Sequence, residues 1–188
     1  MNTTENTENL DKVAEIYSTY KDYMFSLTAK YVPDSADYED VVQDALMRLI
    51  QNASALKKLD TARTITYISL TVRSAALDYR DKRKCQHKYV EDRPYEEVLI
   101  FNWLKDSANS VEESVLREEE NEMVRQAIQK LPERLRMILI SKYYLELEEE
   151  ELITLLGYRK QSLHTLMRRA KQMLQKELEK GGLKYEKK

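Results

Sequence analysis

The sequence predicts an all-α protein: two small helical domains joined by an acidic linker, the second a helix-turn-helix domain. Three observations lead there. Only three Gly and three Pro occur in 188 residues, few for the turns that a multistranded sheet requires. Apolar residues recur every three or four positions in most segments, the period of an amphipathic helix. Charge is segregated although the formal net charge is only −2. Arg80 to Lys88 holds five basic residues and one acidic, Glu91 to Glu122 eleven acidic and three basic, and Arg159 to Lys188 ten basic and three acidic. Such segregation places positive potential on chosen surfaces of a nearly neutral chain.

Composition excludes several classes. With 34% charged and 42% hydrophobic residues, the chain has a globular balance rather than a disordered or membrane one. Cys85 is the only cysteine, so neither an intrachain disulfide nor a cysteine-based zinc site can form, and a reducing cytosol fits. The start, MNTTENTENL, is polar and acidic, unlike a signal peptide. No apolar run approaches the roughly 20 residues of a membrane helix, so a cytoplasmic protein without membrane insertion is expected. His87 and His164 have no partners at metal-ligand spacing, and the carboxylates have no accompanying nucleophile pattern. No metal, no cofactor and no enzymatic activity are expected.

The elements follow in order. Val13, Ile16, Tyr17, Tyr20, Met24, Leu27 and Tyr31 lie on one face of a helix from about Leu10 to Val32, ended by Pro33-Asp34-Ser35. A second helix, about Asp37 to Asn52, has Asp37 as its expected N-cap, with Val41, Val42, Ala45, Leu46, Leu49 and Ile50 as its apolar stripe. A third spans about Thr61 to Lys84. Its β-branched first half also suits a strand, but Ile65, Ile68, Val72, Ala75, Ala76 and Tyr79 step at helical spacing. Its basic end suits the helix dipole. Gln86 to Glu113 reads as linker, with one short apolar run, Val98 to Leu104, expected to pack on a neighbour. Helices resume at Ser114 to Lys130, break at Leu131-Pro132-Glu133 and continue from Arg134 to Leu145. Pro132 suits a first turn, where its missing N–H costs nothing.

Glu149 to Leu156, then Gly157, then a helix from about Lys160 to Lys180 has the spacing of a helix-turn-helix, stopped by Gly181-Gly182. Leu163, Leu166, Met167, Ala170, Leu174 and Leu178 form the inner stripe of the last helix. In a DNA-binding arrangement Lys160, Gln161, Ser162, His164 and Thr165 meet base edges, while Arg168, Arg169 and Lys171 neutralise phosphates. The same segment also reads as an ordinary helical hairpin with a solvated basic face.

Taken together, the segments resemble a bacterial RNA polymerase sigma factor of the extracytoplasmic-function (ECF) group. DYEDVVQDALMRLIQN (Asp37 to Asn52) is similar to the family's core-polymerase-binding helix through Asp40, Val41, Val42, Gln43, Asp44, Leu46 and Leu49. TYISLTVRSAALDYRDKRK (Thr66 to Lys84) resembles the helix facing the −10 promoter element, through Tyr67, Arg73, Ala75, Ala76, Asp78 and the run Arg80 to Lys84. The tetrapeptide Leu131 to Arg134, LPER, is typical of the family's last domain. Glu149 to Leu174 is similar to its −35-reading helix-turn-helix, with the Arg169-Ala170-Lys171 step in place. The resemblance covers about Val13 to Leu178 except the linker.

It implies a region 2-like domain at 8–88, a linker at 89–111 and a winged-helix-like region 4 domain at 112–180. Asp40, Gln43, Asp44, Met47 and Arg48 are then expected to bind polymerase core, at its β′ subunit. Tyr67, Arg73, Asp78, Arg80, Lys82, Arg83 and Lys84 are expected at the −10 element. Arg159, Lys160, Gln161, Ser162, His164, Thr165, Arg168, Arg169 and Lys171 are expected at the −35 element, with the second domain on the β flap. The implied partners are core and promoter DNA, with room for an anti-sigma factor, and the free chain is expected to be a monomer.

Two departures stand out. Leu166 replaces the Arg usual in the recognition helix, and Glu148 to Glu151 is an acidic lead-in that repels DNA unless it faces away. They keep two alternatives open: a dimeric helix-turn-helix regulator, which leaves Asp37 to Lys84 unexplained, and a regulator that docks on polymerase without recognising a promoter.

Overall fold

The computed structural model describes residues 3–84 and 121–181, and among them every regular element is helical. The helices are α1 (Thr3–Thr28), α2 (Tyr38–Gln51), α3 (Ala53–Leu56), α4 (Thr61–Lys84), α5 (121–129), α6 (Glu133–Leu139), α7 (Glu149–Leu156) and α8 (Lys160–Lys180). A 3-10 turn, Ser35–Asp37, leads into α2, and a π-helical turn, Ile140–Tyr144, follows α6. The linker, the apolar run Val98 to Leu104, Cys85 and His87 lie outside the described residues.

The helical period placed α4, α7 and α8 at the residues where they occur, and the β-branched start of α4 is helix, not strand. Its threonines show one reason. Thr66 and Thr71 turn their hydroxyls back onto the carbonyls of Ala62 and Tyr67, so their polar atoms are satisfied within the helix. At α2, Asp37 occupies the N-cap position but makes no cap bond with its side chain. Asp34 caps instead, one turn earlier, accepting from Ala36 N at 3.0 Å. The Asp37 carboxylate is drawn away to Arg83.

Contacts group the chain into two units, one made of the N-terminal helices with Ile140–Leu163, the other of the stretch up to Leu139 with His164 onward. In the first unit α1, α2 and α4 pack on one another and α7 packs on α4 and α2. Val13, Ile16, Met24 and Leu27 of α1, Val41, Val42, Ala45 and Leu49 of α2, and Leu152, Leu155 and Leu156 of α7 are buried. The central member is α4, whose residues are buried without interruption from Thr66 to Leu77. A helix covered all round is an interior helix, and the covering comes from elements distant in sequence. In the second unit Leu131, Leu135, Leu139 and Ala170 form an apolar cluster, with Leu166, Met167, Met173 and Leu174 packed against it.

Leu49 has no exposed surface. Leu49→Ala should therefore destabilise the first unit by about 2–5 kcal/mol, the range for a buried Leu truncated to Ala. Urea unfolding followed by circular dichroism would measure it, and a loss under about 1 kcal/mol would show the site collapses around the smaller side chain.

Candidate functional site

The exposed face of α2 is built as the periodicity implies. Asp40, Gln43 and Met47, three and four residues apart, all face solvent, and Met47 is 55% exposed. An apolar side chain this open among polar neighbours is a contact-ready feature. Asp44 lies beside them, but its carboxylate is engaged by Arg48 at 2.7 Å.

Arg48 itself turns inward. Its Nη2 also meets Asp78 Oδ2 at 2.8 Å, and its Nη1 donates to Ser74 Oγ at 3.1 Å and to the carbonyl of Leu155 at 3.3 Å. One guanidinium thus joins α2, α4 and α7. Planar and five-donor, Arg suits this use where a Lys point charge does not. The side chains of Arg48 and Asp78 are only 12% and 22% exposed, so their charges are screened less than a surface pair's.

Ser74 adds a second tie by donating to the carbonyl of Leu156 at 3.0 Å. Asn52, at the end of α2, supplies a third: its Nδ2 donates to Tyr67 Oη at 2.7 Å and to the carbonyl of Glu151 at 2.9 Å. Gly157 closes α7 with φ +68, the left-handed conformation that Gly adopts at little cost. It also lies against the ion pair, for a Cβ there would sit 2.8 Å from Asp78 Oδ2 and 3.1 Å from Arg48 Nη1. Ser74, Asn52 and the second role of Gly157 were not singled out in the sequence. The small residue in RSAA and the polar end of α2 were the only hints.

The α4 residues expected at the −10 element divide. Tyr67 and Arg73 are buried, at 0% and 2% exposure. Burial pushes the Tyr67 hydroxyl well above the ordinary tyrosine range; the bond from Asn52 opposes this and the Glu151 charge adds to it. Asp78 is half-buried and Arg80 partly exposed, while Lys82 and Arg83 are exposed and Lys84 ends the helix. Arg83 stacks over the Tyr79 ring, 5.3 Å from its centroid. The Tyr79 hydroxyl is held above its usual range by desolvation first, then by its bond to Asp37, with the Arg83 charge opposing.

The residues expected at the −35 element each face solvent. Arg159, Lys160, Gln161, Ser162, His164, Thr165, Arg168, Arg169 and Lys171 are all exposed. Leu166, which replaced an expected Arg, packs with the apolar cluster of the second unit. The acidic lead-in serves α7. The Glu151 carboxylate accepts from Glu148 N at 2.8 Å, half of a capping box, and Glu149 to Glu151 lie in the first turn, where negative charge suits the dipole. Glu149 also binds Lys160 at 3.0 Å, a bond that raises the Lys160 ammonium above its usual range. Among the described residues no cluster of three metal-ligating side chains occurs, and no helix is long and apolar enough to cross a membrane.

This arrangement of α1, α2 and α4 belongs to a recognised class: residues 16–85 match the Sigma-70 region 2 family. The chain is also 24% identical over 170 residues, 89% of each chain, to the ECF RNA polymerase sigma factor SigW of Bacillus subtilis (strain 168). The chain is thus similar to RNA polymerase sigma factors of the ECF type, over residues 16–85 to the region 2 family and over most of its length to SigW.

Two outcomes follow from the geometry. The neutral, buried Tyr67 hydroxyl has a raised folded-state pKa. Its contribution to stability should be complete below the unfolded value near pH 10 and be lost as pH rises above it, because only the unfolded state then ionises. Urea unfolding between about pH 9 and 11 should show this fall, and Tyr67→Phe should flatten it. Gly157→Ala should cost at least the roughly 1–2 kcal/mol of a left-handed non-Gly residue, since its Cβ also displaces the Asp78 carboxylate.

Proposed function

We propose that the chain binds RNA polymerase core and directs initiation at promoters by recognising a −10 and a −35 element. The observation that carries this is the exposed polar and basic side of α8, from Gln161 to Lys171, presented after a short helix and a left-handed Gly. The first turns of α8 enter the major groove. Gln161, Ser162, His164 and Thr165 read base edges there, and Arg159, Lys160, Arg168, Arg169 and Lys171 meet phosphates. The exposed row Asp40, Gln43 and Met47, with Asp44 and Arg48, docks on core. Arg80, Lys82, Arg83 and Lys84 neutralise the −10 strands, and Tyr67, Arg73 and Asp78 shape that end of the site.

Melting then draws on binding energy and strand capture, and the protein does no covalent chemistry. The region 2-like domain at 8–88, the linker at 89–111 and the region 4-like domain at 112–180 are the functional modules of this reading. The chain works in the cytoplasm as one copy per polymerase, and an anti-sigma factor fits as a further partner.

The deciding experiment is transcription in vitro from fragmented DNA of the source bacterium, by core polymerase with and without the protein. New start sites sharing −35 and −10 elements are expected. Co-elution with core but no new starts would favour a docking regulator, and an absence of core binding would overturn the reading. Arg168→Ala and Arg169→Ala should each lower the slope of log affinity against log salt by about 0.9 in DNA binding, with sequence preference unchanged. Thr165→Ala or Gln161→Ala should instead relax base preference, by about 1–3 kcal/mol at one position.

A further inference from the structure

A charge pair bridges the starts of the two helices of the helix-turn-helix. Glu149 opens α7 and Lys160 opens α8, and both belong to the same compact unit. Their ion pair closes at 3.0 Å, with the Lys160 side chain 63% and the Glu149 side chain 37% exposed. Three carboxylates stand in the first turn of α7. Glu151 turns back to the backbone of Glu148, whereas Glu149 reaches across to the next helix. Its Oε1 atom, the one that meets the ammonium, is shielded from water, so the attraction is screened less than in a fully open pair. The hydrogen bond and charge of Glu149 hold the Lys160 ammonium above its usual range, with desolvation opposing and the Glu150 charge adding. A cation at a helix N-terminus opposes the macrodipole, and the carboxylate beside it offsets that.

Under the function proposed above, on which this inference rests, Lys160 meets a phosphate of the −35 DNA. A Lys ammonium meets phosphate as a point charge, so what it adds is affinity that is blind to sequence. The Glu149 carboxylate is an oxygen anion already held by that ammonium. We propose that Glu149 is a charge mask: it occupies Lys160 as an internal stand-in for phosphate and so lowers the hold of the chain on DNA of arbitrary sequence. A phosphate that takes Lys160 must displace the carboxylate, and it leaves an unpaired negative charge facing the DNA. While the pair is closed it has no net charge, so it neutralises no phosphate and releases no counterion. The base-edge contacts of Gln161, Ser162, His164 and Thr165 involve no such exchange. A larger share of the binding energy then depends on sequence, which matters because bulk DNA offers a vast excess of competing sites. The acidic lead-in thereby has a use beyond capping α7: it supplies the repulsive element against unwanted DNA.

The test measures binding of the full chain to a short random-sequence DNA duplex by fluorescence anisotropy, across a salt series. The variants are Glu149→Gln, Lys160→Gln and the two combined. Glu149→Gln should tighten binding several-fold at low salt and steepen the slope of log affinity against log salt by about 0.9, the worth of one more neutralised phosphate. Lys160→Gln alone should change the slope little, and in the Glu149→Gln background it should abolish the gain. A role confined to offsetting the helix dipole predicts a loss of folding in Glu149→Gln, read from thermal melting of the same samples, with no steeper slope. Unchanged binding in Glu149→Gln overturns the mask while the DNA-binding reading stands. A gain that survives Lys160→Gln also overturns it, because Glu149 would then act on DNA directly. So does a slope that falls by about 0.9 in Lys160→Gln alone, because Lys160 would then already be open to phosphate. Binding by Glu149→Gln where the unaltered chain shows none is the mask in its strongest form. If neither binds duplex at the lowest salt, the DNA-binding reading falls, and the mask falls with it.

Discussion

The Arg48 guanidinium holds three helices with one side chain. It neutralises Asp44 on its own helix, pairs with Asp78 and Ser74 on α4, and caps the carbonyl end of α7 at Leu155. A charge this enclosed is tolerable only when its hydrogen bonds are satisfied. Each neighbour is shaped accordingly: Ser74 is small and both accepts and donates, Asp78 carries the countercharge, and Gly157 leaves room by having no Cβ. The position of α7 on the N-terminal helices follows from this set, with buried leucines beneath it.

Burial of α4 explains how its residues sort. From Thr66 to Leu77 the helix is inside, and beyond Leu77 it emerges toward solvent. The basic residues past that point, Lys82 and Arg83, keep the exposure that nucleic-acid contact requires. Tyr67 and Arg73 lie within the covered stretch, and Tyr67 spends its hydroxyl on Asn52. The residues expected at polymerase and promoter therefore divide into side chains already open and side chains enclosed by their own fold.

The departures from the family pattern are accounted for by packing. Leu166 extends an apolar cluster instead of reaching for DNA. The acidic residues at the start of α7 cap it through Glu151 and bind Lys160 through Glu149, so their charge is partly used within the protein. Just upstream, the π-helical turn and the positive φ of Glu146 redirect the chain into α7. A non-Gly residue in that conformation persists only where its surroundings impose it. The Arg63 contacts with Tyr144 and Glu146 are part of those surroundings.

Whereas α1 runs Thr3–Thr28 rather than from about Leu10 to Val32 and the short α3 was not foreseen, the sequence by itself determined where α2, α4, α7 and α8 lie and where the exposed basic residues of α8 begin. Those features depend on spacing within one segment, on Gly157, and on the scarcity of other breaks. The exposed row on α2 was legible for the same reason. Which sides of α4 are covered was decided only by the tertiary structure. Ser74, Asn52 and Arg48 meet carbonyls that lie 82, 99 and 107 residues away along the chain. No local period encodes a contact of that range, and so the burial of Tyr67 and Arg73, the inward turn of Arg48 and the seat of α7 appear only once the helices are packed.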